Sequence, residues 1–256
     1  MSLLILLHRM VLVDWLIDVV EQEQLQTSTL HMCVHLIDQS LLKQSFTSRN
    51  FQLLGCACLL IASKLDEVIP PQVERLVYLS DFCFDDDALC AMELNIIKLL
   101  NFDLFCPTRA HYVERFSLAA ELSDKEKQLM LYILDISILD IQLNRCPASK
   151  VAAAALHYVL QASRPRNSTL WTPTIAHYTG FQEKELHELV HYLQSLHWNI
   201  EDTSLTHVVT KYERTTHLKA ARVMAIRKSD LRFDFLNNSL TNLQSIKVST
   251  SDMFSP

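Results

Sequence analysis

Only two glycines, Gly55 and Gly180, occur among the 256 residues. Loops that cradle phosphates need clustered glycines, for tight turns and for close approach of the backbone to the ligand. None can be built here, which excludes a P-loop ATPase, a dinucleotide-binding dehydrogenase and a protein kinase. Tight hairpin turns also favour glycine. Long leucine-rich stretches with polar residues at helical spacing fill the chain instead, so the expected fold class is all-α. With 49% hydrophobic residues, a substantial core can be buried.

Helices are expected over about 8–23, 27–44, 47–66, 70–79 and 85–101. Thr27, Ser28 and Thr29 offer N-caps to the second of these. Asp85, Asp86 and Asp87 open the fifth, where acidic groups suit the positive end of a helix. Pro70-Pro71 and Pro107 mark breaks. A second series follows at about 108–120, 123–142, 147–162, 173–179 and 182–197. Ser123 with Glu126 reads as a capping box, and Pro147 and Pro173 as first-turn residues.

Each series has a third helix dense in small side chains. The first holds Gly55, Cys56, Ala57, Cys58, Ala62 and Ser63; the second holds Ala148, Ser149 and Ala152 to Ala155. Small side chains let neighbours approach from several sides, so each is expected to be the central helix of its half. The halves also end alike, at Asn101-Phe-Asp-Leu-Phe-Cys-Pro-Thr108 and His197-Trp-Asn-Ile-Glu-Asp-Thr-Ser204, a weak internal repeat. The expected organisation is a short lead (1–7), a first fold (8–105), a second (108–200) and a further helix within 201–225, its pattern running over about 204–222. The polar segment 226–256 is expected to be disordered.

The net charge of −6 and dispersed basic residues argue against nucleic acid as a partner. The apolar run at Met1–Leu7 lacks a basic lead and stops at His8-Arg9, so it is no secretion signal. Asn167-Ser-Thr and Asn237-Asn-Ser match the glycosylation pattern but carry little weight without such a signal. No stretch reaches the ~18 apolar residues of a membrane span. Seven cysteines, an odd number without a CxxC pair, are expected as reduced and mostly buried thiols. No cofactor is implied.

His187-Glu-Leu-Val-His191 matches the zinc-protease pattern H-E-x-x-H, and His197 falls where a longer form of that pattern has its third ligand. In that longer form a glycine ends the helix and turns the chain back. Here the position is Gln194, a good helix former. In a continuing helix His197 lies about 9 Å beyond His191 and about 120° around the axis, too far to share one metal ion.

Arg9-Met-Val-Leu-Val-Asp-Trp-Leu16 resembles the opening of the cyclin box of A- and B-type cyclins. Further similarities follow in order: Leu30-His31, His35-Leu-Ile-Asp38, Phe51-Gln-Leu-Leu-Gly55, Leu60-Ile-Ala-Ser-Lys-Leu-Asp-Glu67, Pro70-Pro71, Tyr78, Asp81, Met92-Glu93 and Leu100-Asn-Phe-Asp-Leu104. In the second half Pro147-Ala-Ser-Lys-Val-Ala-Ala-Ala-Ala155, Trp171-Thr-Pro-Thr174 and Tyr178-Thr-Gly180 are similar to B-type mitotic cyclins. The resemblance covers about 8–222 and implies two tandem five-helix cyclin boxes.

It also implies a regulatory subunit of a cyclin-dependent protein kinase in mitotic cell-cycle control, present in nucleus and cytoplasm, with no catalysis of its own. Lys64 and Glu93 match the residues that hold the mobile helix of the kinase, and Leu65, Asp66, Glu67, Ile97, Phe102 and Asp103 match positions lining that interface. Arg9 and Asp38 match a buried ion pair. Val11, Leu12, Trp15, Gln52 and Leu79 match a groove that docks R-x-L motifs of substrates and inhibitors, with Asp18 and Asp81 placed to meet the motif arginine. Two residues depart from the family: His8 stands for a methionine, and Ser48 for an arginine, with Arg49 one place out of register. Only seven residues precede His8, so the family's helix before the box and its N-terminal degradation signal are expected to be missing, as in a truncated or alternative product. Bare R-x-x-L matches at Arg9–Leu12 and Arg115–Leu118 fall in packed helices. The alternative is a cyclin fold acting without a kinase, as a transcription or scaffold protein; binding DNA that way requires a basic face.

Overall fold

The computed structural model describes residues 3–165, 169–200 and 203–222, and among them there are helices and no strand. They divide into two compact units, the boundary falling between Thr108 and Arg109. The first unit holds α1 (Leu3–Gln22), α2 (Thr27–Lys43), α3 (Phe51–Asp66), α4 (Val73–Leu79) and α5 (Asp86–Leu99). The second holds α6 (Val113–Ala120), α7 (Asp124–Leu139), α8 (Ala148–Ser163), α9 (Pro173–Thr179), α10 (His187–Asn199) and α11 (His207–Glu213). Segment 226–256 lies outside the described residues.

Several boundaries differ from those read in the sequence. There is no irregular lead over 3–7: α1 already starts at Leu3, because leucines propagate a helix well and nothing before His8 breaks it. The third helix begins at Phe51 and not near 47; Ser48–Asn50 form a 3-10 turn, as Ser and Asn side chains compete for local backbone groups. Arg109–Tyr112 and Glu183–Glu185 likewise form 3-10 turns ahead of α6 and α10. At the other end of α7, Asp140 stops the helix and accepts from Gln142 N at 2.8 Å, leading into the 3-10 turn Ile141–Arg145. Within 204–222 only His207–Glu213 is α-helical.

The caps explain why the other ends fall where they do. Asp85 accepts from Ala88 N at 2.8 Å, and Ser123 and Glu126 form the reciprocal capping box. Thr172 caps α9 ahead of Pro173, whereas Pro147 takes the N-cap place of α8. Gly180 closes α9 at φ +77°, where a side chain would be strained.

The two small-residue helices are the centres of their units. Every residue from Leu54 to Ser63 in α3, and from Val151 to Leu160 in α8, is buried. α3 packs against α1, α2 and α5, and α8 against α6, α7, α9 and α10. Gly55 permits one such approach: a Cβ there would lie 2.7 Å from Leu12 Cδ1. Leu12 is itself 0% exposed, so it has little room to withdraw. The thiols divide. Cys33, Cys56 and Cys58 are buried, and burial pushes all three up. Cys83 and Cys90 are exposed, one in the turn after α4 and one on the outer side of α5, and Cys106 and Cys146 are half-buried, so fewer thiols are inside than the sequence suggested. None of the described helices is long and apolar enough to cross a membrane.

Candidate functional site

The C-terminal end of α3 leaves the core abruptly. Ser63 is buried, and from Lys64 onward the chain is largely exposed. Lys64 Nζ meets Glu93 Oε1 of α5 at 2.6 Å. Lys64 is about half exposed and Glu93 mostly covered, so the pair faces solvent through its cation. Leu65 lies beside it on the surface, and Val68 and Ile69 project at 98% and 83% exposure from the segment that Pro70-Pro71 keeps out of helix. On α5, Ile97 is half-buried one turn beyond Glu93. The helix ends at Asn101 and Phe102, both with positive φ, with Phe102 N donating to Ile97 O at 3.0 Å. That turn presents the Phe102 ring to solvent beside the exposed Asp103. A charged pair amid exposed large apolar side chains has the composition of a protein-binding surface.

Asp66 and Glu67 serve the fold in addition. α2 begins without a side-chain cap on its N-cap residue Gln26, so Thr27, Ser28 and Thr29 are not the caps the sequence suggested. Glu67 Oε1 instead accepts from Gln26 N at 2.6 Å and from the Thr29 hydroxyl. Asp66 Oδ2 accepts from the hydroxyls of Ser28 and Thr29. Two carboxylates, one from the last residue of α3 and one from its C-cap, thus neutralise the positive end of α2.

Arg9 and Asp38 form a bidentate pair between α1 and α2, Nε to Oδ1 at 2.7 Å and Nη2 to Oδ2 at 2.8 Å, both side chains nearly inaccessible. The structure also sorts the residues read as a docking groove, which lie on α1, on α3 and at the end of α4. Trp15, Asp18 and Leu79 are half-buried and Asp81 is exposed, so these four offer surface. Val11, Leu12 and Gln52 are buried. Leu12 is a correction: it belongs to the α1–α3 contact at Gly55 and has no surface to offer a ligand. The His8 and Phe51 rings meet at a tilt of 57°, 5.5 Å between centroids, and Leu12 meets Gly55, so α1 and α3 run side by side, with Gln52 on the stretch of α3 between Phe51 and Gly55. Its Oε1 is buried with no hydrogen-bond partner.

The HELVH stretch gathers no metal site. His187, Glu188 and His191 are exposed on α10, while His197 is buried. Its Nδ1 lies 2.7 Å from the Tyr158 hydroxyl, and burial pushes its pKa down from 6.5 to about 4. Among the described residues no group of three ligating side chains could hold a metal ion.

Sequence reasoning missed a buried network in the second unit. Asp135, fully inaccessible, accepts from Lys211 Nζ and from the Tyr212 hydroxyl, both at 2.9 Å, tying α11 to α7. His157 Nε2 lies 2.9 Å from Glu183 Oε1. A charged residue at the centre of an apolar helix, as Asp135 is, was the available signal. Val68 and Ile69 were missed too; two β-branched residues abutting a double proline, outside any periodic pattern, was theirs.

Residues 4–105 match the family described as "Cyclin, N-terminal domain", and residues 107–225 that described as "Cyclin, C-terminal domain". Rice Cyclin-A1-2 is 34% identical over 82% of this chain and 45% of its own length. The G2/mitotic-specific cyclin-B of Spisula solidissima is 34% identical over 86% of this chain and 50% of its own. The chain thus spans half or less of the length of these relatives. The crystal structure of a viral cyclin from herpesvirus saimiri superposes with a TM-score of 0.67 at 20% identity, over 75% of this chain and 84% of that one, a likeness of fold. With two tandem helical units that match the two cyclin domains in order, and A- and B-type relatives across most of its length, this chain belongs to the cyclin family.

Proposed function

We propose that the chain is the regulatory subunit of a cyclin-dependent protein kinase in mitotic control, acting in nucleus and cytoplasm, and that it binds through the surface around Lys64 and Glu93. The observation that carries this reading is the Lys64–Glu93 pair standing at 2.6 Å amid the exposed Leu65, Val68, Ile69 and Phe102. An ion pair with so exposed a cation is worth at most about 1 kcal/mol. Both groups can therefore turn from each other to the backbone of a partner at small cost. The apolar rim supplies the burial that makes such an exchange favourable.

The partner segment is the kinase helix whose glutamate must pair with the ATP-binding lysine. By binding the arrangement with that helix inward better than the alternative, the subunit shifts the population of kinase conformers toward the active one and performs no chemistry itself. The groove formed by Trp15, Asp18, Leu79 and Asp81 recruits R-x-L substrates and inhibitors.

Co-purification from a cell lysate, followed by phosphorylation of a histone substrate, tests the reading. The expected result is a bound kinase whose activity disappears with Lys64→Ala/Glu93→Ala. Failure to retain a kinase, or retention indifferent to the double substitution, overturns it.

A further inference from the structure

Beside the docking groove stands an ordered stack of exposed aromatic side chains. Tyr78 and Phe82, 58% and 68% exposed, meet edge to face at 6.0 Å and 85°. Arg75 lies over the Tyr78 ring at 5.3 Å, and its Nε is held by Glu23 at the end of α1 at 2.8 Å. The stack is thus pinned at one end to the helix that carries Trp15 and Asp18, and at the other it adjoins Leu79 and Asp81. Neither ring is part of the core.

The backbone under Phe82 is informative. Asp81 and Phe82 both have positive φ, +56° and +57°. Asp81 N donates to Tyr78 O at 3.0 Å and Phe82 N to Val77 O at 3.1 Å, closing the end of α4. Such a turn favours glycine or asparagine, and a bulky side chain adopts it at a cost. Packing does not explain the phenylalanine, since the ring is mostly in solvent.

We propose that Tyr78 and Phe82 form an aromatic shelf that extends the docking groove and selects R-x-L peptides carrying an aromatic side chain on the N-terminal side of the motif arginine. This rests on the docking reading above. Asp81 is the carboxylate placed for that arginine, and Phe82 is the next residue, so the shelf flanks the arginine end of a bound peptide. The surface is acidic there as well, with Asp81, Asp85, Asp86 and Asp87 all exposed, which suits a basic peptide. An aromatic contact of this geometry raises affinity about threefold to tenfold.

The test is fluorescence polarisation of labelled R-x-L peptides on the whole chain, in pairs differing by Phe or Ala before the arginine, with a control pair varied after the leucine. The Phe peptide is expected to bind threefold to tenfold tighter, and the Phe and Ala peptides equally to Phe82→Asn, a variant suited to the left-handed turn. Tyr78→Ala is expected to halve the gain or more, and Trp15→Ala to weaken both peptides alike. A preference that survives Phe82→Asn, or one seen only after the leucine, overturns the shelf and leaves the groove standing. Binding of both peptides unaffected by Trp15→Ala, or no binding to the native chain, overturns the groove itself.

Discussion

Glu67 and Lys64 lie three residues apart on what looks like one interface, yet the structure gives them opposite work, and substitution separates them. Glu67→Ala removes the carboxylate that accepts from Gln26 N and one of the acceptors on the Thr29 hydroxyl. Loss of an N-terminal cap costs about 0.5–2 kcal/mol, and loss of a carboxylate at a helix N-terminus about 0.3–1 kcal/mol more. Together they predict that the first turn of α2 opens more easily by about 1–3 kcal/mol. Amide exchange there should accelerate roughly fivefold to a hundredfold, measurable by hydrogen exchange on peptides covering 26–34. Lys64→Ala breaks a pair half open to water, so it should change stability by no more than about 1 kcal/mol and leave α2 exchange untouched while kinase retention falls. Glu67→Gln keeps an acceptor but not the charge and should fall between. Unchanged exchange in Glu67→Ala, together with loss of the kinase, would refute the capping argument and return Glu67 to a purely interfacial role.

Asp38→Ala leaves the Arg9 guanidinium buried without its bidentate partner, and urea unfolding should show a loss of about 3–5 kcal/mol. Arg9→Met with Asp38→Leu should recover most of it, and a single-substitution loss below about 1 kcal/mol would sink this account. His197 gives a pH dependence of definite sign. As pH falls through about 6.5 the unfolded chain takes the proton. The folded chain resists until about 4. Stability present at pH 7 should therefore decline across that window by about 3 kcal/mol. Burial lowers the His157 pKa as well, in the same direction. Urea titrations at pH 7 and 4.5 should show a smaller decline for His197→Gln than for the native chain; an equal decline refutes the assignment.

Much of this could be read from the residues, for reasons that differ by feature. The all-helical fold and its two centres were legible because small side chains at a crowded axis are a packing requirement, and α3 and α8 meet it visibly. Caps that act within a few residues were legible at Asp85 and at Ser123 with Glu126. The cap of α2 was not, because its acceptors lie about 40 positions away in sequence and local pattern carries no trace of them. The same holds for Asp135, whose partners Lys211 and Tyr212 lie in another helix. Leu12 was misread because a stripe of Val, Leu and Trp on one helix face does not say how much of that face a neighbour covers. Gly55 was the clue, since its missing side chain lets α1 come close enough to shut Leu12 away.

The alternation of duties along Lys64–Ile69 bears on how a partner would be held. Asp66 and Glu67 are bound to α2, while Lys64 and Leu65 before them, and Val68 and Ile69 after them, face solvent. The exposed residues are therefore carried on a strip fastened at its middle, and a partner need not spend its binding energy on ordering it. Phe102 is fixed in a comparable way, by the hydrogen bond of its own N–H to Ile97 O. A surface whose apolar side chains stand in solvent on a fastened backbone is prepared for a partner before it arrives. The strip then works as one element, in which the residues that hold α2 determine how well the residues that face outward can bind.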